Sequence, residues 1–192
     1  MIDDILHYNT HIEPEAGKIL ISEPMLQDEN FQKTVILLCH HDNKESAGFV
    51  LNRLANQPLG YYIKDLNNIY FPLYVGGPVE TNTIHFIHSV PELVGGTLVA
   101  DNIYWSGDME QVVECIKLGK VTPDNCKFFL GYSGWGEGQL LAELDMKSWL
   151  VTHSSNAFVF DFNDDRLWTK AIESLGPKFK NLLFVPANPA LN

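Results

Sequence analysis

The side chains best suited to chemistry sit in one stretch, GYSGWGEGQLLAELDMKSW over residues 131–149. Gln139 and Glu143 are four apart, which puts an amide and a carboxylate on one helical face, and Trp135 lies on the loop that feeds that helix. Together they offer a donor, two acceptors and a flat wall. That is the material of a ligand site or, with Glu143 acting as general base on a bound water, of a hydrolase. Such a base needs a partner acid, a metal or a nucleophile, and the sequence sets none beside it. Ser133 in G-Y-S-G-W comes near a nucleophile elbow, but an elbow needs glycine two residues after the serine, where Trp135 stands. Gly134 and Gly136 start a GxGxxG spacing that Gln139 breaks, and no GK[ST] occurs, so no nucleotide cofactor and no catalytic residue is assigned. In the plainer reading of the same residues, Trp135 packs and Gln139 bonds the glycine loop's own backbone.

Histidines and cysteines add little. His85 and His88 form HxxH and His40 adjoins His41, but on strands both spacings turn the two rings to opposite sheet faces. No carboxylate or cysteine stands at ligand spacing, so no metal is assigned and His88 reads as a hydrogen-bonded structural histidine. Cys39 lies within an apolar run and reads as a core thiol. Cys115 flanks the inward stripe of a helix, and Cys126, after a turn, is expected to be exposed. None has an adjacent cation to activate it.

Whole-chain composition narrows the function classes. Lys and Arg total 13 against 24 Asp and Glu, a formal charge of -11, and no basic cluster occurs. Phosphate neutralisation dominates nucleic-acid affinity, so direct binding to DNA or RNA is disfavoured. Three cysteines without CxxC spacing read as reduced thiols, and the acid-bearing start MIDDILHYNTHIEPEAG does not resemble a signal peptide, so a cytoplasmic protein is expected. No apolar run reaches the ~18 residues that a membrane span needs.

The elements that must position these residues follow from periodicity. Residues 1–16 read as a short amphipathic helix ended by Pro14. KILIS is a strand, and VILLCHH and AGFVLNR read as an antiparallel pair across a His-Asp-Asn turn. A short helix over 59–66 precedes PLYVGGPV, a strand stopped at Gly76 and Gly77. TIHFIHSV and GTLVADNIYWSG continue the β content. A helix starts at 106 or 107 and ends at Gly119, with Val112, Val113 and Ile116 inward. CKFFLGY leads as a strand into the central loop, and 138–146 is helical. SWLVT and AFVFD are strands, a helix capped by Asn163 or Asp164 runs through Leu175, and the tail from 181 is extended. Strands and helices are mixed rather than regularly alternating, so the class is α+β, in a single domain over 1–192 without repeat or linker.

GYSGWGEGQL resembles the GYxGWxxGQL signature of the YqgE/AlgH family of bacterial proteins, and GGPV over 76–79 resembles the family's second signature. Gly17 with KILIS, Phe31, VILLCHH, 48–53 and the His88-Ser89 pair agree as well. Leu54 departs where the family has proline, which predicts a looser strand exit, and Leu141 departs where it has an acid; Glu143 falls on a family acid. The resemblance implies a mainly antiparallel sheet in a small barrel-like, bifurcated arrangement flanked by helices, in a family without an established activity whose members have been labelled transcriptional regulators. The ligand-binding candidates are Asn52, Gly76, Gly77, His88, Trp135, Gln139 and Glu143. The first expectation is a non-enzymatic binding protein for a small molecule or protein partner, with the two glycine motifs converging on one pocket.

Overall fold

The computed structural model describes residues 10, 12–161 and 164–185. Nine strands form one curled sheet among these residues: β1 (Lys18–Ser22), β2 (Val35–His41), β3 (Ser46–Val50), β4 (Leu73–Val75), β5 (Val79–His88), β6 (Thr97–Ala100), β7 (Ile103–Trp105), β8 (Cys126–Trp135) and β9 (Trp149–His153). Along the sheet the order is β6-β7-β5-β8-β3-β2-β1-β9, antiparallel throughout, while β4 pairs parallel to β8 off that path. β8 is therefore the fork. Its first half pairs with β5 and β4, and its last residues pair with β3.

Gly131 makes the fork. Its φ of 63° is left-handed, and a Cβ there would sit 2.5 Å from the Val79 carbonyl oxygen, so only glycine lets β8 kink between its two sets of partners. The β5 register shifts between Val79 and Ile84 at the same place. Residues 133–135, expected as loop after the CKFFLGY strand, thus continue that strand past the Gly131 kink: glycine content signals backbone freedom, and here the freedom is spent within a ladder.

Period-two alternation sorts the side chains. Ile19, Ile21, Leu37, Phe49, Ile87 and Phe129 face the concave side of this half barrel, where they pack against Leu167, Trp168, Ala171 and Ile172 of α6 (Asp164–Ser174) and Phe179 and Leu182 of the 3₁₀ segment Pro177–Phe184. Leu20, Ile36, Leu38 and Val50 face outward under α4 (Gln139–Asp145), joined by Trp135, Leu140 and Trp149. On the other leaf Phe86 and Phe128 meet Val112, Val113 and Ile116 of α3 (Met109–Lys117). Because VILLCHH is covered on both faces, it reads as a continuous apolar run.

Several expectations need correction. AFVFD is not a strand: Ser155 Oγ accepts from the Phe158 amide at 3.2 Å and caps a turn of helix, α5 (Asn156–Val159). Of the tail expected as extended, 181–184 are instead helical, within Pro177–Phe184, which buries Phe179 and Leu182, and 186–192 lie outside the described residues. Cys126 is buried rather than exposed, because it opens a strand under α3. At Leu54 the strand exit is pinned by a bridge to Tyr74 and by Val75 N–H donating to the Arg53 carbonyl at 2.7 Å. Of the expected N-terminal helix, residues 1–9 and 11 lie outside the described residues, and 12–16 are not helical. The cap at Asn163 also lies outside. Elsewhere the reading holds: Asp108 caps α3 by accepting from Gln111 N–H at 3.0 Å, and the short helix splits into α1 (Leu59–Tyr62) and a 3₁₀ turn over Lys64–Leu66.

Candidate functional site

Trp135, Gln139 and Glu143 do come together, with a partner that sequence reasoning did not supply. Glu143 Oε2 accepts from the indole N–H of Trp135 at 2.9 Å and from that of Trp149 at 2.7 Å, while Oε1 accepts from Gln139 Nε2 at 2.9 Å. Gln139 Oε1 in turn accepts from the Gly136 amide at 3.1 Å. Both indoles are buried, 6.1 Å apart and edge to face. Every group in this chain of bonds is matched inside the protein, so it fastens the end of β8 to α4 and β9. Reacting as a base would require Glu143 to release two buried indole donors.

The remaining candidates lie apart. Asn52 clips the turn before β2, with Oδ1 accepting from Val35 N–H at 2.9 Å and Nδ2 donating to the Lys33 carbonyl at 3.0 Å. His88 is fully buried beneath α2 (Pro91–Val94); Nε2 donates to the Ser106 carbonyl at 2.9 Å and Nδ1 accepts from Val90 N–H at 3.2 Å, and desolvation holds the ring below its ordinary pKa. Gly76 and Gly77 are covered by β8: a Cβ on Gly76 would sit 2.3 Å from the Gly131 oxygen, and one on Gly77 as close to the Tyr132 carbonyl. Ser133 is buried and donates to the Gly76 carbonyl at 2.9 Å. Burial likewise pushes the Cys39 and Cys126 thiols up, away from reactive thiolate. Among the described residues no group of three or more His, Cys, Asp or Glu is placed to hold a metal.

At the mouth of the half barrel Val79 of the GGPV motif meets the 132–136 segment, while Gly76 and Gly77 do not line the groove there. Val79, directly after GGP, lines a groove of about 670 Å³ together with Tyr132, Gly134, Trp135 and Gly136, and with His85 and Trp105 from the neighbouring strands. Lys44, Glu45 and Glu80 contribute rim charges of both signs, and His40 adds an imidazole. Its size falls in the usual range for small-ligand sites of roughly 300–1,000 Å³. His85 lies with its ring 5.4 Å from Phe49 and 5.8 Å, edge on, from Tyr132. Desolvation lowers its pKa, opposed by Glu80, so the imidazole is neutral at pH 7. Its Nε2 is shielded from solvent and has no hydrogen-bond partner among the described residues. Sequence reading weighed His85 only as half of an HxxH metal pair and passed over Trp105. The available signal was strand parity: His85 shares a face with Ile87, across the ladder from Phe129, and His88 does not.

A separate polar cluster closes the other end of the concave face. Lys127 is wholly buried; Nζ donates to the carbonyls of Leu51 at 3.2 Å and Asp161 at 3.0 Å, lies over the Tyr74 ring at 4.5 Å and stands 3.8 Å from Asp164 Oδ1. Asp164 Oδ2 accepts from the Tyr74 hydroxyl at 3.2 Å.

Comparison with known proteins agrees with the fold. The AlgH-like family profile matches residues 19–180. A UPF0301 protein from Chlorobium limicola is 36% identical over 92% of this chain and 95% of its own length, and one from Cytophaga hutchinsonii is 36% identical over 92% and 98%. Among solved structures, the AlgH protein of Pseudomonas aeruginosa superposes with a TM-score of 0.69 at 29% identity, covering 90% of this chain and 94% of that one. Protein DIP2367 of Corynebacterium diphtheriae reaches 0.76 at 18% identity over 89% and 92%, which is a likeness of fold.

Proposed function

The chain belongs to the AlgH-like family, and we propose that it is a non-enzymatic binding protein that takes a small molecule in the mouth of its half barrel. The observation that carries this reading is the convergence of Val79 and the 132–136 segment with His85 and Trp105 around one groove. Aromatic walls beside a few polar groups are the usual composition of a small-ligand site. A hydrolytic role for Glu143 fits less well, because Oε2 already accepts from two buried indoles and Oε1 from the Gln139 amide. A regulatory role would run through a protein partner rather than DNA, given the formal charge of -11. Among the described residues no helix is long and apolar enough to cross a membrane, and three free cysteines fit a cytoplasmic setting.

The test is a thermal-shift screen of the full chain against a metabolite library, with hits mapped by amide chemical shifts. A ligand that saturates, raises the melting temperature and perturbs Tyr132, Gly134 and His85 supports the reading. A ligand that maps to another surface, or a library without hits, overturns it.

A further inference from the structure

The mouth has two features that the fold itself does not use. One is the imidazole of His85, whose Nε2 is shielded from solvent without a hydrogen bond among the described residues, although buried polar atoms are almost always matched. The other is Gly136. Gly131 and Gly138 adopt left-handed φ, and Gly134 packs under the Tyr132 ring, where a Cβ would approach to 3.0 Å. Gly136 has neither reason: its φ is not positive, and a Cβ built on it meets nothing within 4 Å. It lies exposed on the rim of the groove that His85 lines. With no side chain there, the rim at Gly136 is open and a ligand can approach its backbone closely.

Resting on the mouth as a ligand site, we propose that its ligand is a flat, uncharged heteroaromatic ring of nucleobase or indole size. The ring lies over Gly136 against Tyr132 and Trp105, and one of its edge N–H groups or ring nitrogens pairs with the His85 imidazole. The walls select the class. Tyr132 and Trp105 line the groove, and aromatic side chains stack flat rings well, while a neutral imidazole carries one donor and one acceptor to read a polar ring edge. An imidazole turns about χ2 to present either nitrogen, so the shielded Nε2 is reachable by rotation. Charge selects against phosphorylated forms: Lys44 is outweighed by Glu45 and Glu80 on the rim, and the chain as a whole carries -11.

The experiment is a titration of the full chain with adenine, guanine and indole, followed by amide shifts and by the ¹⁵N shifts of the histidine rings. The expected result is saturable binding of at least one probe, with a His85 ring-nitrogen shift that marks a new hydrogen bond. Affinity should fall tenfold or more in His85→Leu, recover in part in His85→Gln, and be lost in Gly136→Val while the spectrum stays folded. Binding of a probe that ignores both His85→Leu and Gly136→Val overturns the inference. So does failure of all three probes while the metabolite screen finds an aliphatic or anionic ligand in the mouth; in that case the binding function stands and only the ligand class falls. Absence of any mouth ligand in both experiments removes the two together.

Discussion

Lys127 and His85 lie on the same concave face, two ladder steps apart, since Lys127 pairs with Ile87 and Phe129 with His85. Burial lowers the pKa of both. Their surroundings differ, although Asp164 Oδ1 beside Lys127 has only the ammonium at 3.8 Å and no hydrogen bond among the described residues. The Lys127 ammonium has two carbonyls, a tyrosine face and a nearby carboxylate arranged around it, contributed by the segment after β3, by β4 and by the approach to α6. His85 has aromatic neighbours and an unmatched nitrogen. A buried polar group with every bond made inside the chain is committed to the fold; one left unmatched beside a groove is available to a ligand. By this criterion the Glu143 network belongs with Lys127, although the sequence presents it as the most inviting site.

The largest expected effect tests the closed end. Lys127→Ala removes the only cation beside Asp164 that the described ion pairs include and strands two carbonyls, so it should cost about 3–5 kcal/mol in urea unfolding, the range for breaking a buried charge cluster. The double change Lys127→Met with Asp164→Leu removes both charges with similar volume and should recover most of that loss. If Lys127→Ala is instead neutral, the cluster is not structural and the contrast with His85 fails.

A second, slightly smaller effect is carried by pH. Desolvation is the main cause that takes Lys127 from its ordinary 10.5 down to about 8, against the pull of Asp164 and Asp161. Between those values the unfolded chain holds a proton that the folded chain does not, so raising the pH favours folding. The contribution of Lys127 is therefore fully present above 10.5 and lost as pH falls through about 8, amounting to about 3 kcal/mol across the window. Cys39, Cys126 and Tyr74 have raised values and act in the opposite sense at high pH. The measurement is thus the difference between wild type and Lys127→Met in unfolding free energy from pH 7 to 10.5. A difference that stays flat rules out the depressed lysine.

Why the contrast was only partly legible in the sequence is a matter of what local patterns encode. Asp108 with Val112, Val113 and Ile116 spells out α3, and the i,i+4 spacing of Gln139 and Glu143 does place them together, because both relations are local to one helix. The second indole, Trp149, comes from another strand and has no local signal. The continuation of β8 past Tyr132 reads as loop because composition cannot distinguish a glycine that ends a strand from one, like Gly131, that kinks it. Lys127 sits in CKFFLGY as a polar residue among apolar ones; alternation sends it to one face, but only the parallel pairing of β4, which brings Tyr74 over it, makes that face interior. His85 and Trp105 become wall residues only once the sheet curls.

Within the Glu143 network, the predicted loss is moderate. Glu143→Gln keeps the shape and one acceptor oxygen but turns a donor toward at least one of the three groups that now donate to the carboxylate. A loss of about 1–2 kcal/mol is expected, as for an unmatched, partly buried hydrogen bond. An indole ring-proton shift at Trp135 or Trp149 should accompany it. If stability is unchanged while a mouth ligand is lost, Glu143 belongs with His85 rather than with Lys127.

The smallest effect is the most telling, because it runs against the usual rule that altering a buried polar side chain destabilises. His85 contributes no hydrogen bond through Nε2 and burial already holds it neutral, so His85→Leu exchanges an unmatched polar atom for carbon beside Phe49 and Tyr132. Replacing an unsatisfied group by an apolar one of similar size is close to neutral or favourable, and a change between zero and about 1 kcal/mol in the stabilising direction is expected at pH 7. Acid sharpens the difference. The depressed His85 supports the fold above its ordinary value and loses that support as pH falls below it, whereas leucine does not titrate, so the variant's advantage should grow on acidification. Urea melts of both proteins at pH 7 and at pH 5 measure this. A clear loss of stability in His85→Leu would mean that the imidazole already works for the fold, and the mouth would then be as closed as the end that Lys127 holds.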